Sequence, residues 1–164
     1  MARGIRTYRA AVAASLLLSA LALGAQSAAP PLNSKLVKRY AQLNAQAARQ
    51  NGPKRAETLA KLAALDYSFA DSSYSAHQPQ TASQHLAQAT AHADQACAIL
   101  HAEAALGKKD RIKNVERIIQ SIAFALRGLE QSVSYQQQPQ VQAAVEHFTN
   151  LNYELLQWLF APKH

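Results

Sequence analysis

The chain has 164 residues, of which 49% are apolar and 7% aromatic, and its formal net charge is +7 at pH 7. This length fits one domain, and an alanine-rich composition with few aromatic residues favours closely packed helices. A single cysteine, Cys97, excludes a fold held together by internal disulfides.

Residues 1–27 have the pattern of a secretory signal peptide. The arginine-containing stretch MARGIRTYR precedes an uninterrupted apolar run of 14 residues, AAVAASLLLSALAL, and Ala25 and Ser27 are the small residues of a cleavage site before Ala28. That run is shorter than the about 20 residues of a membrane span, so an uncleaved anchor is the less favoured alternative. We expect a signal peptide, a single helical domain over 28–164 and a periplasmic or secreted protein.

Cleavage of the predicted signal peptide would lower the net positive charge of the chain. Three of the 17 Lys and Arg residues lie in residues 1–27, so 14 basic and ten acidic residues remain, which gives a net charge of +4. The aromatic residues follow helical spacing and do not interleave with Lys and Arg as base-stacking platforms do, which argues against nucleic acid. The basic residues form either a solvated face or a surface that attracts anionic lipid or polysaccharide.

Glycine, proline and aspartate residues divide the remaining chain into five predicted helices, and no run alternates long enough to predict a strand. Short connections join antiparallel neighbours, so we expect an all-α, up-and-down antiparallel bundle of four long helices plus a shorter N-terminal helix. Asp110 is placed to cap the fourth helix. The predicted helices run from about Ser34 to Gln50, Lys54 to Tyr74, Thr81 to Leu106, Ile112 to Val133 and Val141 to Phe160.

The first predicted helix is amphipathic, with Tyr40 and Leu43 on its apolar side and Lys35, Lys38 and Arg39 opposite. We expect these three basic residues, called the α1 basic face below, to contact a partner protein or an anionic envelope surface. Charge reversal there should then abolish binding without unfolding the protein.

Two aromatic residues are further candidates for a partner surface. Phe124 lies across the fourth helix from its apolar stripe, beside Lys113 and Arg117. The favoured interpretation is that the first helix covers it, and the alternative is an exposed partner surface. The C-terminal segment ELLQWLFAPKH, which contains Trp158, is apolar on more than one side. It is expected either to dock on the bundle or to make a homo-oligomer.

Asp66 falls near the middle of a wide apolar arc on the second helix. An unpaired carboxylate at such a position would cost several kcal/mol, so Asp66 needs a partner. The favoured partner is a cation from another helix, with Arg117 and Arg127 as candidates. The alternatives are an acid in a ligand pocket and exposure to solvent through a gap in the bundle.

The stretch HADQACAILHAEAAL places Asp94, Cys97 and His101 on one flank of the third helix, where all three could approach one metal ion. Structural zinc sites usually have four ligands, however, and no second ligand cluster is apparent in the sequence. A cysteine buried by packing is therefore favoured over metal binding or an intermolecular disulfide. A haem would need His85 or His92 together with His147, although histidines half-buried between helices need no ligand.

The helix pattern resembles that of uncharacterised exported helical proteins of acidobacterial type. The resemblance covers most of residues 28–164, including KRAETLAKLAALDYSFADSSY and KKDRIKNVERIIQSIAFALRGLE. It implies the same helical fold and assigns no functional residue. The segment from LAALDYSFADSSY to HLAQATAHA also resembles one tetratricopeptide-type hairpin, without the glycine that such repeats place between their helices.

The sequence contains no Gly-rich phosphate loop, no Gly-x-Ser-x-Gly turn and no His-Glu-x-x-His pair. We therefore expect a non-enzymatic exported protein that acts through protein or envelope contacts, without a cofactor and without a membrane span once the signal is cleaved. The alternative is a periplasmic bundle that binds a small molecule or a metal through Asp66, Cys97 and His101.

Overall fold

The computed structural model describes residues 34–106 and 109–161, so the predicted signal peptide lies outside the described residues. All regular secondary structure in these two segments is helical, which confirms the all-α prediction, and the predicted helix ends lie within about three residues of those observed. None of the described helices combines the length and apolarity needed to cross a membrane. The helices are α1 Ser34–Arg49, α2 Gly52–Ser75, α3 Pro79–Ala105, α4 Ile112–Ser132 and α5 Gln138–Phe160.

Proline starts three of the five helices. Pro53, Pro79 and Pro139 each lie at one of the first two positions of α2, α3 and α5. Proline is tolerated there because the first amides of a helix have no partner within the helix. Gly52 precedes Pro53 with φ at +54°, a left-handed conformation that glycine adopts without steric cost. The NGP sequence thus sets the sharp change of direction between α1 and α2.

The beginning of α4 differs from the prediction. Its N-cap residue is Arg111, at φ 66°, and no side chain caps the helix, so the expected cap by Asp110 is wrong. Arg111 instead pairs with the buried carboxylate of Glu57 near the start of α2. The hydrogen bond from Lys61 at 2.7 Å, followed by the one from Arg111, lowers the pKa of Glu57 against the opposing effect of burial. This ion pair ties the α3–α4 connection to α2.

The five helices pack as two hairpins and an outer helix. The most extensive contacts join α2 to α3 and α4 to α5. The two hairpins meet through α2 against α4 and through α3 against α5, whereas α3 and α4 touch only marginally. The backbone of helix α1 lies close to that of α2 and to that of no other described helix. Because α2 also packs on α3 and α4, it has three helical neighbours.

Side-chain contacts give the relative directions of the helices. Residues farther along α3 contact residues farther along α5, so these two helices run parallel. Helices α2 and α4 are parallel for the same reason, because Glu57 faces Arg111 and residues 64–68 face residues 117–125. Three contacts establish the direction for α3 and α5: Ser83 with Gln140, Asp94 with His147, and His101 with Trp158.

Helices α2 to α5 all contribute large side chains to the core, and α2 and α3 add a set of small ones. Six of the seven residues of the predicted apolar stripe, from Ile112 to Leu129, are each at most 5% exposed, whereas the seventh, Val133, lies just beyond α4 and is half-buried. Fully buried alanines let α2 and α3 approach closely, since a methyl group fills little space between two backbones. These alanines are Ala56, Ala60, Ala63 and Ala70 on α2 and Ala82, Ala93 and Ala96 on α3.

Two apolar residues of α4 allow a matched test of this packing. Leu126 is fully buried, whereas Phe124, two residues earlier, is 77% exposed. We expect Leu126→Ala to lower the free energy of unfolding by about 2–5 kcal/mol, because it removes buried methyl groups and leaves a cavity. Phe124→Ala should change it by less than about 0.5 kcal/mol. Urea unfolding followed by circular dichroism measures both, and equal losses would contradict the packing.

Candidate functional sites

Helix α1 carries its cations on the side that faces away from α2. Lys35, Lys38 and Arg39 are all exposed, and Ala47 is the only buried residue of this helix. The sequence of α1 contains four basic residues and no acidic one. The α1 basic face is therefore a surface of a single charge sign, as the sequence predicts.

On its inner side, α1 is held by an aromatic contact. The ring of Tyr40 lies 5.9 Å from that of Phe69 on α2 and 6.4 Å from that of His92 on α3, measured between ring centroids. Tilted aromatic pairs at this separation are favourable beyond their buried area. Tyr40 thereby covers the part of α2 that contains Asp66.

Asp66 is fully buried, as its position in the apolar arc predicts, but the predicted partners are wrong. Its Oδ2 lies 2.9 Å from Nδ1 of His92, and its Oδ1 lies 3.7 Å from Nδ1 of His85. Arg117 and Arg127 are exposed on α4, whereas Asp66 faces α1 and α3. The carboxylate is therefore paired with imidazoles and not with a guanidinium.

Asp66, His85, His92 and Tyr40 together form what we call the Asp66 cluster. Burial, and then the nearby Asp66 carboxylate, raises the pKa of Tyr40. The 3.7 Å between Oδ1 of Asp66 and Nδ1 of His85 is too long for a hydrogen bond, and both atoms are buried without a hydrogen-bond partner among the described residues. In the sequence, the seven-residue spacing of His85 and His92 indicates these partners of Asp66, because it places both histidines on one face of α3.

The structure brings the three predicted metal ligands to one cleft. Asp94, Cys97 and His101 line an opening of about 450 Å³ between α3 and α5, which we call the Cys97 cleft. Glu154 and Trp158 of α5 line its other side. The partial burial of Trp158 is explained by its contact with His101, whose ring centroid lies 5.1 Å away.

The side chains of the Cys97 cleft are nevertheless engaged in other contacts. Asp94 Oδ1 lies 2.7 Å from Nε2 of His147, and Cys97 is only 4% exposed. Desolvation, followed by the charges of Glu154 and Asp94, raises the pKa of Cys97 to about 12, which disfavours the thiolate that a metal requires. Across residues 34–106 and 109–161, no group of three or more histidine, cysteine, aspartate or glutamate side chains is positioned to hold a metal ion. Metal binding at Cys97 stays a prediction.

The histidines considered for haem contact two different carboxylates, His92 that of Asp66 and His147 that of Asp94. Each is an Asp–His pair of the kind that activates a nucleophile in hydrolases. In the described part of the chain, however, neither imidazole is hydrogen-bonded to a serine, threonine or cysteine.

Phe124 is 77% exposed, so the expectation that the first helix covers it is wrong. The reason is that α1 packs on α2 and its backbone does not approach that of α4, so it does not cover the outer face of α4. An open cleft of about 460 Å³ between α4 and α5 borders Phe124 and also contacts Arg127 and Asn152. A second cleft, of about 430 Å³, lies between α2 and α4. The alternative, an exposed partner surface, stays a prediction.

Comparison with known proteins found no family model, no curated protein and no solved structure that matches this chain. The resemblances to exported acidobacterial proteins and to a tetratricopeptide-type hairpin therefore stay predictions, and the sites rest on geometry alone.

The Asp66 cluster makes a testable contribution to stability. Asp66→Ala should lower the free energy of unfolding by about 1–3 kcal/mol, because His92 loses a buried hydrogen-bond acceptor. Asp71→Ala removes an exposed carboxylate from the same helix and is the matched control, with an expected change below about 0.5 kcal/mol. Urea denaturation measures both variants. Equal effects would show that the cluster does not hold the fold together.

The raised pKa of Cys97 predicts a slow reaction with iodoacetamide. At pH 8 the thiolate fraction should be about 1,000-fold below that of a thiol with the ordinary pKa of 9.0. Alkylation of the native protein should therefore be slow and should accelerate by about tenfold per pH unit up to pH 10. Mass spectrometry of timed samples, with and without urea, measures the rates. Equal rates for native and unfolded protein would contradict the burial of the thiol.

Proposed function

We propose that this chain is an exported, non-enzymatic helical protein that associates with an anionic envelope surface through the α1 basic face. The observation that carries the proposal is the single charge sign of α1, whose four cations are accompanied by no acidic residue. Lys35, Lys38 and Arg39 are exposed within little more than one helical turn. They present a local positive potential that attracts anionic lipid or polysaccharide.

The neighbouring surface supports the same proposal. Lys54 and Arg55 in the first turn of α2 are exposed as well, and Arg49 at the end of α1 joins them. Glu57, the nearest acid in sequence, is buried and engaged by Lys61 and Arg111, so it does not neutralise this surface. These cations extend the basic surface towards the α1–α2 turn, where one carboxylate, that of Glu103 on α3, lies beside Gly52.

We propose further that α2 to α5 form an up-and-down antiparallel bundle, with α1 as the shorter additional helix. Support comes from the alternating directions of consecutive helices, as given by contacts such as Arg127 with Thr149 between α4 and α5. The export pattern of residues 1–27 supports a periplasmic or secreted location, where anionic envelope surfaces are present. A single domain over 28–164 is part of this proposal.

Charge reversal tests the proposed surface. In the triple variant Lys35→Glu, Lys38→Glu, Arg39→Glu, the affinity for vesicles containing anionic lipid should fall by about 100-fold or more. The reason is that each cation near such a surface contributes about 1 kcal/mol. A sedimentation assay at low and at physiological salt measures binding, and a parallel assay with an anionic polysaccharide distinguishes the two kinds of surface. Unchanged circular dichroism confirms that the variant is folded.

The matched control reverses three exposed cations on α4, with Lys113→Glu, Arg117→Glu and Arg127→Glu. This variant has the same net charge as the first, so it should retain binding to the surface if the α1 basic face is responsible. Equal losses in the two variants would show that net charge alone drives the association. Retained binding in the α1 variant would refute the proposal.

A second candidate function is the binding of a small molecule or a metal. It is favoured by the arrangement of Asp94, Cys97 and His101 around one cleft and by the buried Oδ1 of Asp66, which accepts no hydrogen bond from a described residue. A native mass spectrum of protein purified from its own exported fraction should then show mass above the bare chain. Cys97→Ser with His101→Ala should remove that extra mass if the Cys97 cleft holds it, and a bare chain in the unmodified protein would refute this candidate.

A further inference from the structure

The outer face of α4 is an exposed surface with an aromatic residue at its centre. Phe124 is 77% exposed, and around it lie only exposed residues, which together we call the Phe124 face. Spacings of three, four and seven residues place them on one side of the helix. The other members of the Phe124 face are Lys113, Arg117, Gln120, Ser121, Arg127, Gly128 and Gln131.

The Phe124 face carries charge of one sign. Lys113, Arg117 and Arg127 are its charged residues, and none of them forms an ion pair with a described residue. Of the acidic residues of α4, Glu116 lies at the edge of this face, about 80° around the helix from Phe124, but is buried; Glu130 lies farther around and is half-buried. The exposed charges of the Phe124 face are therefore all positive.

Concave surfaces flank Phe124 on both sides. The cleft of about 460 Å³ between α4 and α5 contains Arg127 and Asn152, and the cleft of about 430 Å³ between α2 and α4 contains Arg117 and Tyr67. The Oδ1 atom of Asn152 is buried and has no hydrogen-bond donor among the described residues. Burial, followed by the charge of the Asp71 carboxylate, raises the pKa of Tyr67 to about 12.

We propose that the Phe124 face docks an acidic, amphipathic segment of a partner protein. Carboxylates of that segment pair with Arg117 and Arg127, and its apolar side chains pack beside Phe124. An N–H group of its first helical turn, which has no acceptor within the helix, donates to Oδ1 of Asn152. Arginine suits this role because its planar guanidinium binds a carboxylate through two parallel hydrogen bonds. An exposed aromatic residue flanked by arginines also has the composition of an interface hot spot.

Charge complementarity selects this occupant over a second copy of the chain. Residues 28–164 include 14 basic and ten acidic residues, and both the α1 basic face and the Phe124 face are cationic. A second copy that offered either surface would be repelled. An acidic segment satisfies the three cations at once.

The shape of the surface favours a polypeptide over a lipid bilayer. A bilayer surface can take up the Phe124 ring and attract the cations, but it fills neither of the two clefts and supplies no directed donor for Asn152. Lys113 and Arg127 are 14 positions apart, a distance of about 21 Å along the helix. A partner helix of about four turns spans this distance.

The test uses the full-length folded protein and a defined probe, a fluorescein-labelled 18-residue helical peptide composed of glutamate, leucine and alanine in an amphipathic pattern. Fluorescence anisotropy measures its affinity. Two comparison probes distinguish the alternatives: the same peptide with lysine in place of glutamate, and vesicles containing anionic lipid. Circular dichroism confirms that each protein variant is folded.

We expect the acidic peptide to bind, with a loss of about tenfold or more in Phe124→Ala and in Arg117→Glu with Arg127→Glu. Phe160→Ala is the matched control, because Phe160 is also 77% exposed but lies at the end of α5, and it should leave the affinity unchanged. The lysine peptide should not bind. Reversal of the α1 basic face should reduce the affinity far less than reversal on α4.

Several results would overturn the proposal: no binding of the acidic peptide, equal losses in Phe124→Ala and Phe160→Ala, or equal losses from the two charge reversals. Loss of vesicle binding in Phe124→Ala without loss of peptide binding would assign the face to lipid instead. Because the proposed function depends on α1 and this inference on α4, each can fail while the other holds.

Discussion

The structure depends on the burial of α2 against three other helices. Helix α2 packs on α1, α3 and α4, and about half of its residues are buried, from Ala56 to Tyr74. Its alanines allow α3 to approach closely, but the same burial removes the Asp66 carboxylate from water. A carboxylate in that position must be paired, and His92 of α3 provides the partner while Tyr40 of α1 closes the site. Helix α1 therefore covers the region that contains the buried acid.

The burial of two acids contributes to the cationic character of the outer faces. Asp66 is engaged inside the structure by histidine and Glu57 by Lys61 and Arg111, whereas Asp94 pairs with His147 at the surface. A chain with more basic than acidic residues then has cations left on its surface, and α1 and α4 present them on separate faces. These faces differ in chemistry, because the α1 basic face is a plain cluster of charges, whereas the Phe124 face adds an aromatic residue and two clefts. The difference is the reason for assigning an anionic surface to one and an acidic polypeptide to the other.

The sequence predicts those features that depend on spacing along one helix. Proline and glycine mark the helix ends because they act locally, and the stripe of α4 is recognisable because Ile112 to Leu129 repeat every three or four residues. The features it fails to predict depend on how helices are rotated about one another. Arginine is the obvious partner for a buried acid, but only the packing of α3 on α2 brings His92 to Asp66. Likewise, only the position of α1 decides whether Phe124 is covered, and the left-handed Arg111 replaces Asp110 because Glu57 binds it.

The central claim is that α2 organises the fold and that α1 is its outermost layer. Amide hydrogen exchange of the native protein, measured helix by helix by mass spectrometry, tests this most directly. Because Ala47 is the only buried residue of α1, its amides should exchange by local opening well before those of α2 and α4, which should exchange last and together. If α1 were protected as strongly as α2, or if α2 exchanged before α5, the account of the fold would be contradicted.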